Sequence, residues 1–258
     1  MRDTGLSEAI QAAGGVSELA RRIGISQPSV SNWDKVPAER VLLVEASTGI
    51  NRKVLRPDLY DEKAPAPPVD EIDLARAREY ALLSALLVRA PDAALLKKLA
   101  SLRADATPLG VAHVGLAEAA AAVSVQSVER EYFDLFIGLA RGELLPYGSF
   151  YIAGFLHERP LARLRGDLAR FNIERVEGNY EPEDHAATLC EIMAGFASGG
   201  LPAPEGSDRL IFEKHLAPWI GRFFADLERA QAANFYRHVG TLGRVFMEIE
   251  QEAFALPS

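Results

Sequence analysis

The feature that most constrains this chain is the spacing of its apolar residues. Leu82, Leu83, Leu86 and Leu87 recur three to four positions apart. So do Leu95, Leu96 and Leu99, then Phe133, Phe136 and Ile137, then Leu189, Ile192, Met193 and Phe196, and finally Phe223, Phe224 and Leu227 with Val245, Phe246 and Ile249. That period lays one apolar stripe along a helix, whereas the two-residue alternation of a half-buried strand is scarce. Prolines at 91, 108, 146, 160, 182, 202 and 218 fall near helix starts or between helices. The pattern predicts an all-α protein, and the lack of a fixed repeat argues against a solenoid. With 258 residues, 48% apolar and 25% charged, the chain can bury a core, which excludes disordered and collagen-like classes. No apolar run approaches the roughly 18–20 residues of a membrane helix; the best is Ala81–Val88, flanked by charge. No secretory leader is readable, and the single cysteine, Cys190, cannot form an internal disulfide. The expectation is a soluble, cytoplasmic protein.

A proline-rich stretch divides the chain. Asp61–Glu71 reads DEKAPAPPVDE, and its prolines lack amide donors and bias their neighbours toward extended backbone. Such a spacer covers about 3 Å per residue, or roughly 30 Å in all. Three parts are expected: a domain over 1–60, a linker over 61–71 and a domain over 72–258. Charge follows this division. Residues 1–63 carry nine Lys+Arg and nine Asp+Glu, so the whole net charge of −8 lies beyond them. An acidic body repels phosphate backbones and attracts cationic partners, which confines any nucleic-acid contact to the first quarter of the chain.

Within that quarter, residues 16–33 read VSELARRIGISQPSVSNW. Ser17 is suited to cap a helix over Glu18–Ile23 whose Leu19, Ala20 and Ile23 face inward. Gly24 supplies a sharp turn, and Ser26 caps the next helix, where Val30 can meet Ala20. This is the arrangement a helix-turn-helix needs; a generic helical hairpin is the alternative. The second helix would expose Gln27, Ser29, Ser31 and Asn32, short polar side chains able to reach base edges or phosphates. Together with VPAERVLLVEASTGINRKVLRPDLY at 36–60, the stretch resembles the small Cro-like helix-turn-helix domains of the YdaS type. The resemblance implies a third core helix near Pro37–Ala46 and DNA-binding residues Ser26, Gln27, Ser29, Ser31, Asn32, Arg52 and Lys53, with Arg56 closing the basic run. Strong DNA binders carry excess positive charge, and this domain is neutral, so useful affinity would require a homodimer.

Three later stretches exceed what helix periodicity explains. Glu131–Gly138, EYFDLFIG, ends an amphipathic helix with aromatic residues that core packing accounts for. Leu144–Phe155, LLPYGSFYIAGF, gathers Tyr147, Ser149 and Tyr151, whose hydroxyls need partners if buried. Glu181–Phe196, EPEDHAATLCEIMAGF, places Pro182 where a first helical residue would stand, with Glu181, Glu183 and Asp184 complementing the helix dipole. Good first-turn chemistry explains the acids but not His185. A carboxylate beside an imidazole suits a peptide carrying arginine and backbone amides.

Leu135-Phe136-Ile137-Gly138, Pro146-Tyr147-Gly148-Ser149-Phe150-Tyr151, Glu181-Pro182-Glu183-Asp184-His185 and HLAPWIGRFFADL at 215–227 together resemble the TorD/DmsD/NarJ family of molybdoenzyme chaperones. This implies an all-helical, non-enzymatic, cytoplasmic domain. Its partner would be the twin-arginine signal peptide, or the immature catalytic subunit, of a molybdenum-containing redox enzyme. Carried onto this chain, the peptide-binding residues are Tyr147, Ser149, Tyr151, Pro182, Asp184 and His185. The stretch PLARLRGDLARFNIERVEGNYEPEDH is similar to members associated with formate dehydrogenase. The five histidines (113, 157, 185, 215, 238) show no zinc-site spacing, no nucleotide loop or hydrolase elbow occurs, and no cofactor is expected. Two readings compete: a maturation chaperone with an attached DNA-binding module, and a transcriptional regulator whose second domain senses client peptide or unassembled enzyme.

Overall fold

The computed structural model describes residues 2–60, 70–175 and 181–256. They form two compact units, Met1–Pro68 and Val69–Ser258, and among the described residues the regular elements are helices joined by loops, with one isolated bridge. Most of the expected linker, residues 61–69, lies outside the described residues.

The first unit comprises α1 (Thr4–Ala13), α2 (Val16–Arg22), α3 (Gln27–Ser31), α4 (Val41–Thr48), α5 (Arg52–Leu55) and α6 (Pro57–Tyr60). Its fully buried core is built from Leu6, Leu19, Val30, Val36, Val41, Val44 and Leu55, with Ala20 beside them. Two local expectations need correction. Helix α2 begins at Val16 after Gly15, so Ser17 lies inside the helix rather than capping it. The third helix is a short 3₁₀ turn over Ala38–Arg40 followed by α4, which runs to Thr48, two residues beyond the expected end. Gly24 does adopt positive φ, +69°, in the turn between α2 and α3, a conformation that a Cβ makes costly.

The second unit comprises α7 (Glu71–Val88), α8 (Ala93–Ala100), α9 (Pro108–Ala122), α10 (Val125–Tyr132), α11 (Gly148–Ala153), α12 (Arg159–Arg170), α13 (Ala186–Ala197), α14 (Ser207–Ile211), α15 (Ile220–Arg229) and α16 (Phe235–Ala255). The first four helices start on side-chain caps: Asp70, Asp92, Thr107 and Ser124 each accept the backbone N–H three residues on. Each such cap contributes about 0.5–2 kcal/mol and fixes where a helix begins. Helix α7 packs on α13, α15 on α16 and α16 on α9. Gly240 lets α15 and α16 approach closely, since a Cβ there would lie 2.7 Å from the Glu228 backbone nitrogen. The aromatic centre of this core is Tyr80, Trp219, Phe223, Phe224, Phe235 and Tyr236, all fully buried.

Two buried carboxylates tie distant helices together. Glu131 on α10 accepts the N–H groups of Asn234, Phe235 and Tyr236, satisfying the start of α16. Glu250 on α16 accepts from Arg76 and from the Tyr80 hydroxyl, joining α16 to α7. Among the described residues no single helix is long and apolar enough to cross a membrane.

Candidate functional site

The site in the second unit is built where two loops meet. Residues 146–148, entering α11, pair antiparallel with residues 184–186, entering α13. Ala186 N–H donates to Pro146 O at 2.8 Å, and Gly148 N–H donates to Asp184 O at 2.9 Å. Two helix N-termini are thus fastened side by side. Each needs acceptors for its first N–H groups, and the motif supplies both from adjacent residues. Asp184 Oδ2 accepts Ser149 N–H at 2.7 Å across the bridge. His185 is itself the cap of α13, its Nδ1 accepting Ala187 N–H at 3.0 Å. That bond leaves the ring proton on Nε2.

This geometry corrects the placement of residues 181–184. Helix α13 starts at Ala186 and has no acid in its first turn, so Pro182 is not a first helical residue. Instead Glu181–Asp184 form the turn before the helix, closed by His185 N–H on Pro182 O. The sequence missed this because the best capping residue of the stretch is the histidine, and Asp184 serves the neighbouring helix.

The six expected peptide-site residues do come together, at different depths. Ser149, Asp184 and His185 are 0%, 3% and 7% exposed. Tyr147, Tyr151 and Pro182 are half-buried. The Tyr147 ring meets the His185 ring edge-on at 5.0 Å, and its hydroxyl donates to Glu181 Oε1. Tyr151 lies over Trp219 at 5.6 Å, donates to Asp226 Oδ2 at 3.0 Å, and has the Arg222 guanidinium over its ring. Burial, followed by the neighbouring carboxylates, raises both phenols above their ordinary range. Burial pushes the His185 imidazole below its usual value and so favours its neutral form. Cys190, on α13, is a buried apolar filler whose thiol burial pushes up to about 12.

Behind the bridge lies a pocket of about 690 Å³, bounded in part by Asp184, Asp167, His215, Arg163, Arg170 and Lys214. His215 Nε2 lies 2.9 Å from Asp167 Oδ2, and the His215 carbonyl accepts the Trp219 indole N–H. Sequence reading missed this Asp–His pair, because its members are 48 residues apart and lie in two separate stretches that nothing local connects. Among the described residues no group of three His, Cys, Asp or Glu side chains could hold a metal ion.

In the first unit, Ser26 caps α3 by accepting from Ser29 N–H. Ser26, Gln27, Ser29 and Asn32 are exposed and Ser31 is half-buried. Gln27 Nε2 donates to Ser31 Oγ at 2.8 Å. Lys53 and Arg52 are exposed on α5, and Arg52 pairs with Glu45 at 2.8 Å.

Against this geometry, a family model described as nitrate reductase delta subunit matches residues 102–225, a span containing all six residues of the bridge site. The match lies within the second unit. A second model, described as bacterial toxin YdaS, matches residues 6–64 and so overlies the helix-turn-helix. Similar curated proteins include a chaperone protein TorD of Shewanella loihica, 23% identical over 72% of this chain and 97% of its own length. Another is a chaperone protein TorD of Aliivibrio fischeri, 23% identical over 48% of this chain; the match spans only 63% of that relative. A solved structure described as a redox enzyme maturation protein, from Archaeoglobus fulgidus, is 21% identical, covers 67% of this chain and 93% of its own, and gives a TM-score of 0.46. Both curated relatives are named as chaperones.

Proposed function

We propose that the protein is a cytoplasmic chaperone for the maturation of a molybdenum-containing redox enzyme, of the formate dehydrogenase class. It binds the client's twin-arginine signal peptide or immature catalytic subunit. The observation that carries this reading is the bridge itself: two motifs 35 residues apart in sequence meet within the delta-subunit-like domain. Tyr147, Tyr151 and Pro182 offer the accessible contact, flat apolar surface with hydroxyls at its edge. Ser149, Asp184 and His185 hold that surface in place from beneath. Titration calorimetry with the client signal peptide tests the reading. Tyr147→Ala with Tyr151→Ala should weaken binding at least about tenfold, the equivalent of 1.4 kcal/mol. No binding by the unaltered protein would sink it.

The exposed recognition helix supports a second activity, sequence-specific DNA binding by a homodimer of the first unit, as in a regulator that reports client supply. Gln27 and Ser29 stand on the exposed side of α3, and a good bidentate base contact contributes about 1–3 kcal/mol of discrimination. Gel shifts on the gene's upstream region should show preference over random DNA. Gln27→Ala with Ser29→Ala should remove that preference while helix content stays the same. Equal affinity for both DNAs at low salt would argue that the unit binds protein instead.

A further inference from the structure

We propose that the pocket behind the bridge binds a small organic carboxylate, a function beyond peptide recognition and independent of it. The pocket encloses about 690 Å³, a size that suits a small-molecule site. Ile152, Pro160, Leu164 and Pro218 give it an apolar wall. Gly166 stands inside α12, where a glycine weakens the helix. No packing requires it: apart from its own helix backbone, no atom lies within 4 Å of the place a Cβ would take. Its missing side chain leaves space in the pocket that it lines. Residues Phe212–Leu216 form a π-helical turn, a wide turn that recurs at functional sites. That turn brings Lys214 and His215 into the pocket lining.

The charges around the pocket select the ligand. Asp167 is already committed, Oδ1 to Arg170 at 3.0 Å and Oδ2 to His215 at 2.9 Å. The hydrogen bond from His215 holds its carboxyl below the usual range, so it stays ionised. Arg163 is exposed and has no hydrogen bond or ion pair among the described residues. Lys214 reaches Asp167 only at 3.8 Å. Three cations, Arg163, Arg170 and Lys214, therefore stand against two carboxylates, Asp167 and Asp184, which leaves one positive charge in surplus. A single carboxylate neutralises it through charge-assisted bonds to Arg163 and Lys214. A cation is repelled by that surplus, and a polyanion is pressed against Asp167 and Asp184. The ligand's hydrocarbon body covers Ile152 and Leu164.

Saturation-transfer NMR and titration calorimetry on the full chain test this with phenylacetate as the probe. Its neutral and cationic counterparts are 2-phenylethanol and phenethylamine. Phenylacetate should bind at least about tenfold more tightly than either, since only it pairs with the cations. Gly166→Leu fills the pocket at a position with room for a side chain, so helical dichroism should be unchanged. Its phenylacetate affinity should fall about tenfold or more, because the bound ring would have no space. Arg163→Glu has no partner to lose and should produce a similar fall, whereas Arg163→Lys should keep binding. No binding by the unaltered protein, equal binding of the three probes, or undiminished binding by both Gly166→Leu and Arg163→Glu would overturn the site. Displacement of phenylacetate by inorganic tripolyphosphate at concentrations where acetate has no effect would give the cations to a polyanion and overturn it too. Signal-peptide affinity should be unchanged in Gly166→Leu; its loss there would assign the pocket to the peptide and sink the separate site while the chaperone reading stands.

Discussion

Glu250→Ala should cost the second unit about 3–5 kcal/mol, the range for removing one member of a buried ion pair. The carboxylate is 1% exposed and accepts three hydrogen bonds: Arg76 Nε at 2.8 Å, an Arg76 terminal nitrogen at 2.9 Å, and the Tyr80 hydroxyl at 2.8 Å. Alanine strips these from groups that cannot all turn to water. Burial opposes the charge on Arg76, yet its bonds to Glu250 raise its pKa above the ordinary value, so the guanidinium stays charged with one main partner gone. Asp73, 2.7 Å away, compensates in part, which places the expectation toward the lower end. Tyr80→Phe isolates the hydroxyl and should cost only about 1 kcal/mol. Arg76→Met with Glu250→Leu should recover much of the loss, because a pair replaced by apolar groups leaves nothing unsatisfied. Urea unfolding of all three variants, followed by helical dichroism, gives the comparison. A Glu250→Ala protein within about 1 kcal/mol of the original, the size of an exposed pair, would mean that water reaches this junction.

The same pair shows where sequence reading stops. The all-α class was legible because helix periodicity is a local signal, and Leu83, Leu86, Leu189 and Phe223 are buried as their spacing predicts. Gly24 and the Ser26 cap were legible for the same reason: a turn and a cap are decided within a few residues. Glu131 and Glu250 were not. Each looks like an ordinary helix-surface acid until its helix is docked against a partner more than 100 residues away in sequence. The bridge site was half legible. Its residues stood out by type, and a resemblance grouped them, but their depth depends on how α11 and α13 start against each other. In sequence Asp184 reads as a first-turn acid of its own helix or as a peptide receptor, and the backbone that it serves belongs to Ser149.

Asp184→Ala should lower stability by about 1.5–3 kcal/mol, the contribution of a hydrogen bond to a charged group. The variant leaves Ser149 N–H, at the start of α11, without its acceptor at a fully buried residue. Asp184→Asn keeps a carbonyl oxygen for that N–H and should stay within about 1 kcal/mol of the original. The carboxylate's other oxygen, Oδ1, is buried with no hydrogen-bond partner among the described residues, as is Ser149 Oγ, so removing the charge relieves some desolvation as well. The two variants therefore separate position from charge. If Asp184 holds the Tyr147–Tyr151 surface in place, signal-peptide affinity should follow stability: kept in the asparagine variant, reduced in the alanine variant as α11 loosens. If Asp184 instead pairs directly with a client guanidinium, the asparagine variant should lose at least about tenfold in affinity at an unchanged melting temperature. With only 3% of the residue exposed, the first pattern is expected. Melting curves and peptide titrations on the same two preparations decide between them.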